Sequence, residues 1–504
     1  MSHLAIAPIL WPLAAGILLL VLRHADIRLR RVVSLAAVAG QLGLAVTLMR
    51  TVSDGTLLTY ALGAWPAPYG IILVADRLAA WMLLSTALVA LFALWHACRG
   101  ADLQGRHFHV LFQLQLMGLN GAFLTGDLFN LFVFFEVLLL ASYGLVLHGG
   151  GRQRTRAGLH YVVLNLAGSS LFLIAVGTLY GLFGTLNMAD LALRLAAAGP
   201  ENLGPARAAG LLLFGVFALK AAVLPLHLWL PATYAHASAP VAALFAIMTK
   251  VGAYAILRVA TLLFGARAEV MAGLIEPWLL PLALATLLIA LLGTLAARGL
   301  REQAAWLVLV SVGTLLTAFA LGTVAGIAAG LYYLPHSVFA GAALFLLAEH
   351  IGQARGSAGD RLDPAPAMAG ASVLAGLFFG AVLLSAGLPP LSGFLGKFLL
   401  LKAALVHPAW PWILAGVLCG SLLVMIALAR SGSLLFMRAL PREEDAPPPP
   451  PPAPWSALVP AAGLLGLGIA LTIAAGPAQS FAAAAAEQLL QPHLYVHAVL
   501  GSRP

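Results

Sequence analysis

Residues 217–250, FALKAAVLPLHLWLPATYAHASAPVAALFAIMTK, form an apolar stretch long enough to enter a bilayer, and it carries Lys220 and then, five residues on, Pro225. A proline inside a helix removes one backbone hydrogen bond and costs roughly 3 kcal/mol, so a membrane helix broken here frees carbonyls that need a protein or water partner. The stretch therefore reads as a broken span beside an aqueous cavity. Lys250 falls in the next apolar span. A membrane-buried ammonium costs on the order of 3 kcal/mol on insertion scales, which makes both lysines functional candidates. The alternative, a head group that snorkels to the interface, is opposed by the apolar sequence flanking each of them.

Composition extends this reading to the whole chain. With 504 residues, 62% hydrophobic and 9% charged, and a mean hydropathy of +0.98, the protein has too few polar groups to cover a soluble globule. It is an all-α polytopic membrane protein. Apolar windows fall near 4–22, 32–49, 71–95, 108–125, 128–147, 158–184, 208–229, 239–264, 270–297, 302–323, 325–348, 371–403, 410–436 and 455–475, about fourteen transmembrane helices. The start, MSHLAIAPILWPLAAGILLLVL, lacks a basic n-region and is read as a retained first helix.

The net charge of +9 is distributed by topology. Arg23, Arg28, Arg30 and Arg31 follow the first window, Arg99 and Arg106 the third, and Arg152, Arg154 and Arg156 the fifth. Arg298 with Arg301, Arg355 with Arg361, and Arg438 with Arg442 continue the odd-numbered connections, whereas the even ones hold scattered basics such as Arg194, Arg207 and Arg267. Odd connections are thus expected on the cytoplasmic side and both termini outside. No basic face interleaved with aromatics suggests nucleic acid. Cys98 and Cys419 are far apart and show no CxxC or Cys/His ligand spacing, so neither a disulfide framework nor a metal cluster is expected. No two histidines are placed for haem ligation, and no cofactor is implied.

A second stretch resembles the first. VLPLHLW (223–229) and GLPPLSGF (387–394) both set Leu-Pro inside a long apolar run, in the seventh and twelfth windows. An odd separation makes equivalent segments run in opposite directions, so two inverted five-helix repeats with broken helices 7 and 12 are expected, breaking at Pro225 and at Pro389 and Pro390. The organisation is then 1–107 (helices 1–3), 108–264 (first repeat), 265–440 (second repeat), 441–454 (a linker whose APPPPPPAP run forms a stiff polyproline spacer) and 455–504 (helix 14 and tail). Lys220 precedes its proline, while Lys397 follows Pro389 and Pro390.

Further ionisable groups complete a row. Glu136, within GDLFNLFVFFEVLLLASYGLVLHGG, is flanked by so much apolar surface that it needs a cation. His336, after Pro335 in the eleventh window, has an ordinary pKa of about 6.5 that suits proton transfer, although a membrane histidine also serves as a helix-packing hydrogen-bonder. Asp76 with Arg77 reads as a structural pair near a helix end, and Glu349 with His350 as an interfacial cluster. His227 and His236 flank the first break, where they could line a water path.

DLFNLFVFFEVLLLASYGLV (127–146), KAAVLPLHLWLPATYAHASAPVAALFAIMTKVGAYAILRV (220–259) and LSAGLPPLSGFLGKF (384–398) resemble the D-type subunit of the Mrp-type multisubunit monovalent cation/proton antiporters, over nearly the whole chain. That family is similar to the antiporter-like subunits of respiratory Complex I and membrane-bound hydrogenases. The resemblance implies fourteen helices, inverted repeats, a bacterial cytoplasmic membrane location, partner subunits in a hetero-oligomeric complex, and exchange of protons for Na+ or K+. It also implies that Glu136 and Lys220 are the family's glutamate–lysine pair, Lys250 its central lysine and Lys397 the lysine of the second broken helix. One Complex I subunit carries glutamate at that last position, so Lys397 argues against that subunit.

Three function classes follow. The first is an ion-exchange subunit passing protons along Glu136, Lys220, Lys250, His336 and Lys397. The second is the proton-translocating arm of a redox complex. The third, a scaffold or an enzyme without transport, leaves the buried charges without a nucleophile–base pair or metal set to explain them.

Overall fold

The computed structural model describes residues 3–265, 268, 271–441 and 451–501. Arg267, Arg442 and residues 446–450 of the proline run lie outside the described residues. The apolar windows become helices because a backbone in hydrocarbon must close its hydrogen bonds within its own segment. In chain order they begin with α1 (Ala7–Val21), α2 (Ile27–Val52), the hairpin strands β1 (Leu58–Ala61) and β2 (Ile72–Ala75), and α3 (Arg77–Ala97). Then come α4 (Phe108–Leu124), α5 (Leu128–Leu147), α6 (Arg152–Phe183), α7 (Met188–Ala196) and α8 (Pro200–Lys220). The centre holds α9 (Trp229–His236), α10 (Ala239–Phe245), α11 (Met248–Leu263), α12 (Glu276–Ala296), α13 (Leu300–Phe319) and α14 (Val324–Ala354). The chain ends with β3 (Ala365–Pro366), α15 (Ala371–Ala386), α16 (Ser392–Ala404), α17 (Trp410–Gly432), β4 (Ala439–Leu440), α18 (Trp455–Ile473), α19 (Ala475–Leu489) and α20 (Pro492–Leu500).

Among the described residues twelve helical segments are long and apolar enough to cross a membrane, with α10 and α11 forming one of them. The remaining two of the fourteen windows fall on the shorter apolar helices α4 and α15, and α15 is followed by α16 beyond the Leu388–Leu391 break. The small β pairings lie outside these segments, and α7, α19 and α20 are helices that no apolar window announces.

The connections segregate to two faces. Those after odd-numbered windows interlock: Arg31 pairs with Asp102 at 2.7 Å, Arg154 donates to the His236 carbonyl at 2.9 Å, and Arg301 meets Asp360 at 3.3 Å. Arg99 donates to the Ser456 carbonyl, and β3 pairs with β4 in parallel. On the opposite face β2 bridges to Thr125, and Asp127 bridges to Asn187. Asp127 also caps α5 through the Asn130 amide at 2.8 Å, and burial pushes its carboxyl up to about 6 against the pull of that bond. Both ends of the described chain join this second face, since His3 packs on Tyr60 of β1 and Tyr495 of α20 lies under Arg258. The two broken spans start from opposite faces, α8 after the connection that holds α7 and α15 after the one that holds Asp360, so they run antiparallel, as an inverted repeat requires.

Burial then sorts the helices. The α10–α11 segment and α14 are enclosed along their length, whereas α1, α6, α12 and α17 present exposed Ile17, Ile174, Leu288 and Leu422, as helices facing acyl chains do. Pro454, the last residue of the proline run, has φ −63° and ψ 146° and leads into α18.

One pairing differs from the sequence reading. Asp76 does not pair with Arg77: its carboxylate caps α3 at the Ala79 amide (2.8 Å) and binds Arg258 at 2.6 Å, both partners buried. Arg77 turns away to the Ser53 and Ala484 carbonyls. Adjacent residues at a helix start point in different directions, so neighbours in sequence are poor partners. Breaking a buried pair by removing one charge costs about 3–5 kcal/mol. Asp76→Asn keeps the cap but strands the guanidinium, so the purified chain is expected to melt at a markedly lower temperature, and adding Arg258→Leu should recover much of the loss. Unchanged melting of the single variant would show that the pair is not structural.

Candidate functional site

The first break spans residues 221–228. Every carbonyl and amide freed there needs a partner, and the neighbours provide several. Trp229 Nε1 donates to the Leu219 carbonyl at 3.1 Å, and Thr286 Oγ1 on α12 accepts from the Leu224 amide at 2.9 Å. Gly252 of α11 lies against the break so closely that a Cβ there would sit 2.4 Å from the Ala221 nitrogen. The glycine lets the Lys250-bearing helix pack on the end of α8.

Lys220 is the last residue of α8, where a cation is favoured by the helix dipole. Its Nζ lies 3.4 Å from the Asn165 carbonyl and 3.3 Å from Asn165 Oδ1 on α6, and over the Phe135 ring at 5.9 Å. The Asn165 amide is oriented by its own Nδ2, which donates to Tyr161 O at 2.9 Å. Glu136 on α5 lies within electrostatic reach of Lys220 but makes no direct ion pair with it. Its Oε1 instead accepts from Ser169 Oγ, which also lies 3.0 Å from the Asn165 carbonyl. Glutamate and lysine are thus joined through Ser169 and Asn165, one turn apart on α6. Sequence reasoning missed both, although their i, i+4 spacing inside the apolar YVVLNLAGSSLF run is a legible polar stripe.

Lys250 is fully enclosed and donates to Ser311 Oγ of α13 at 2.7 Å. His336, on α14, lies within electrostatic reach of both Lys250 and Lys397. Its Nδ1 is 3.1 Å from Ser392 Oγ, the first residue of α16, and a Cβ on Gly393 would sit 2.7 Å from its Nε2. At the second break Gly387 takes the left-handed conformation (φ 77°) that ends α15. Lys397 reaches back across the break to donate to the Ala386 carbonyl at 3.0 Å, satisfying the C-terminus of one half-helix from the other. The structure therefore brings His336 and Lys397 onto the second break and Lys220 onto the first, with Lys250 beside the first break and bonded to α13.

Other residues singled out from the sequence lie elsewhere. Glu349 binds His96 of α3 at 2.8 Å, and the His96 ring stands edge-on to His350 at 5.0 Å, beneath a cavity of 610 Å³ on the arginine-rich face. His236 lines a second cavity there, of 540 Å³, with Arg154, Arg301 and Asp360. His227 is buried and packs on Trp306. Cys98, Asp102 and His109 bring possible ligand atoms within 4.8 Å of one another, a grouping the cysteine spacing did not disclose. Arg31 already binds both Asp102 oxygens, so that set is built as an ion pair.

Helices broken in antiparallel pairs, with ammoniums held at the breaks, define a polytopic membrane protein of the inverted-repeat class. Residues 125–426, which include Glu136, Lys220, Lys250, His336 and Lys397, match the family described as NADH:quinone oxidoreductase/Mrp antiporter, TM, and the chain belongs to it. It is 40% identical to the D subunit of a probable K(+)/H(+) antiporter of Rhizobium meliloti, over 100% of this chain and 98% of that one. It is 36% identical to the D subunit of a Na(+)/H(+) antiporter of Bacillus subtilis, over 99% and 100%. Among solved structures it resembles a chain of the Mrp complex from Dietzia sp. DQ12-45-1b, with a TM-score of 0.88 and 29% identity over 99% of each chain. A chain of respiratory complex I from Thermus thermophilus gives a TM-score of 0.74 and 26% identity, over 96% of this chain and 99% of that one.

The α6 bridge predicts a measurable coupling. Hydrogen bonds to charged groups contribute about 1.5–3 kcal/mol. Asn165→Ala should therefore destabilise the wild-type chain more than it destabilises a Lys220→Met variant, by about that amount in a thermal-unfolding double-mutant cycle. Additive effects would show that Asn165 does not hold the ammonium.

Proposed function

We propose that this chain is the ion-translocating D-type subunit of a multisubunit monovalent cation/proton antiporter in the bacterial cytoplasmic membrane. The observation that carries the reading is the pair of antiparallel broken spans, each with a buried lysine at its break, Lys220 bonded to Asn165 of α6 and Lys397 to the Ala386 carbonyl, with Lys250 and His336 in the interior. Full-length likeness to subunits named for K+/H+ and Na+/H+ antiport supports it. The protein is a transporter subunit rather than an enzyme, working by secondary exchange of protons against Na+ or K+ with partner subunits. The redox-linked reading is less specific, since the relatives 40% and 36% identical over the full chain are named as antiporter subunits, whereas the Complex I chain is 26% identical.

In this reading Lys220 accepts a proton as Glu136 approaches and releases it as Glu136 withdraws, because a nearby carboxylate favours the ammonium over the free amine. The proton passes to Lys250, then past His336 to Lys397, and half-channels open at the two breaks. The cavities at His236 and at His96–Glu349–His350 provide water access on the arginine-rich face. That face is cytoplasmic by the positive-inside rule, all fourteen windows cross the membrane, and both termini lie outside.

In membranes holding the assembled complex, Lys220→Ala, Lys397→Ala and Glu136→Gln are each expected to abolish cation-dependent proton exchange in vesicles while immunoblots show normal subunit levels. Full exchange in all three would refute the row, and loss of the Glu136→Gln chain from the membrane would make Glu136 part of a static pair. A reporter fused after Pro504 should behave as periplasmic, and a cytoplasmic signal would overturn the topology.

A further inference from the structure

On the arginine-rich face, the C-terminal end of α1, the first turn of α2 and the start of α4 enclose a cavity of 660 Å³. Arg23, Arg30 and Arg106 line it together with His107 and His109, and among the described residues the only carboxylate in its wall is Asp102. That carboxylate is already committed to Arg31, which donates to its two oxygens at 2.7 and 2.8 Å, and to His109, whose Nε2 lies 3.2 Å away. Burial alone would push the Asp102 carboxyl up, but those bonds and charges hold it at about 2, so it stays ionised and engaged. The field left in the cavity is positive.

Three further features point to an anion. The α4 helix starts beneath the cavity with His107 as its N-cap, in the left-handed conformation at φ 62°, with no side-chain cap and no acidic residue in its first turn. Its first amides are therefore unsatisfied donors at the positive end of the helix dipole. One buried donor in the wall, Arg30 Nε, has no hydrogen-bond partner among the described residues. Finally, the same helix ends carry exposed apolar side chains, Leu20 and Val21 on α1 and Leu29 and Val32 on α2. Arginines above apolar helix flanks match a phosphate that carries acyl chains.

We propose that this cavity binds the phosphodiester headgroup of an anionic phospholipid, with the phosphate on the α4 amides and the three arginines and the acyl chains along α1 and α2. The site is independent of the ion-translocating row. It anchors the first helices to the leaflet at that face.

The test uses the full chain purified in a zwitterionic detergent, titrated with phosphatidylglycerol, phosphatidylcholine or inorganic phosphate and read by native mass spectrometry. One phosphatidylglycerol should be retained in preference to phosphatidylcholine, and equimolar inorganic phosphate should not displace it. Combining Arg23→Gln, Arg30→Gln and Arg106→Gln should weaken retention on the order of a hundred-fold, about fivefold per arginine. Combining Arg152→Gln, Arg156→Gln and Arg430→Gln, exposed arginines elsewhere on the chain, should leave it unchanged. If the cavity triple variant does not fold, Arg106→Gln alone, on an exposed side chain, carries the test at about fivefold. Equal retention by cavity variant and wild type, or equal loss in both triple variants, overturns the site. Displacement by equimolar phosphate overturns the lipid and leaves a free-phosphate site.

Discussion

A cation in hydrocarbon must have its protons accepted, and the interior of this protein is arranged around that requirement. Lys220 finds a carbonyl and an amide oxygen of Asn165, Lys250 a hydroxyl of Ser311, and Lys397 the carbonyl that ends α15. All of these acceptors are neutral. The arginine buried within an apolar segment is treated differently: Arg258 of α11 faces the carboxylate of Asp76. The distinction follows from chemistry, because a guanidinium is always charged whereas an ammonium can shed its proton in a buried site. A carboxylate fixed against a lysine would be stranded when the lysine became neutral, while a carbonyl or hydroxyl tolerates both forms.

The same division separates what is fixed from what can change. Arg31–Asp102, Arg301–Asp360 and Arg258–Asp76 tie connections and neighbouring helices together, and Arg194, paired with Asp190 within α7, donates to the Phe183 carbonyl at the end of α6. Between them the lysines sit where backbone ladders are interrupted and glycines bring elements close, Gly252 against the first break, and Gly387 and Gly393 against Lys397 and His336. A side chain at any of these positions would have to displace backbone, a buried ammonium or an imidazole. The polar row is held by contacts too tight for added bulk but free of permanent counter-charges.

Much of this is legible in the sequence because its signals reside in single residues. A proline's missing amide and a lysine's charge are costly in any membrane helix, so Pro225, Pro389, Lys220, Lys250 and Lys397 announce themselves without knowledge of neighbours. Partners are not legible, since they depend on which helices meet. Adjacency suggests Arg77 for Asp76, whose partner lies on α11, and His350 for Glu349, whose carboxylate binds His96 of α3. Short elements outside the apolar windows, such as the β1–β2 hairpin and α7, carry too weak a pattern to compete with the long apolar runs, and they surround Asp127 on the second face.

The α6 bridge shows how a carboxylate can inform a lysine without touching it. Ser169 has one hydroxyl proton and two acceptors, Glu136 Oε1 and the Asn165 carbonyl. That carbonyl is also an acceptor for Lys220. When the hydroxyl turns to an ionised Glu136, the carbonyl is left to the ammonium; when it turns back, it competes with the ammonium for the same oxygen. The Asn165 side chain cannot relay a proton between them, because its amide is pinned to Tyr161 and has no titratable group. Coupling between Glu136 and Lys220 is then carried by charge and by the Ser169 rotor rather than by a proton passed along the bridge.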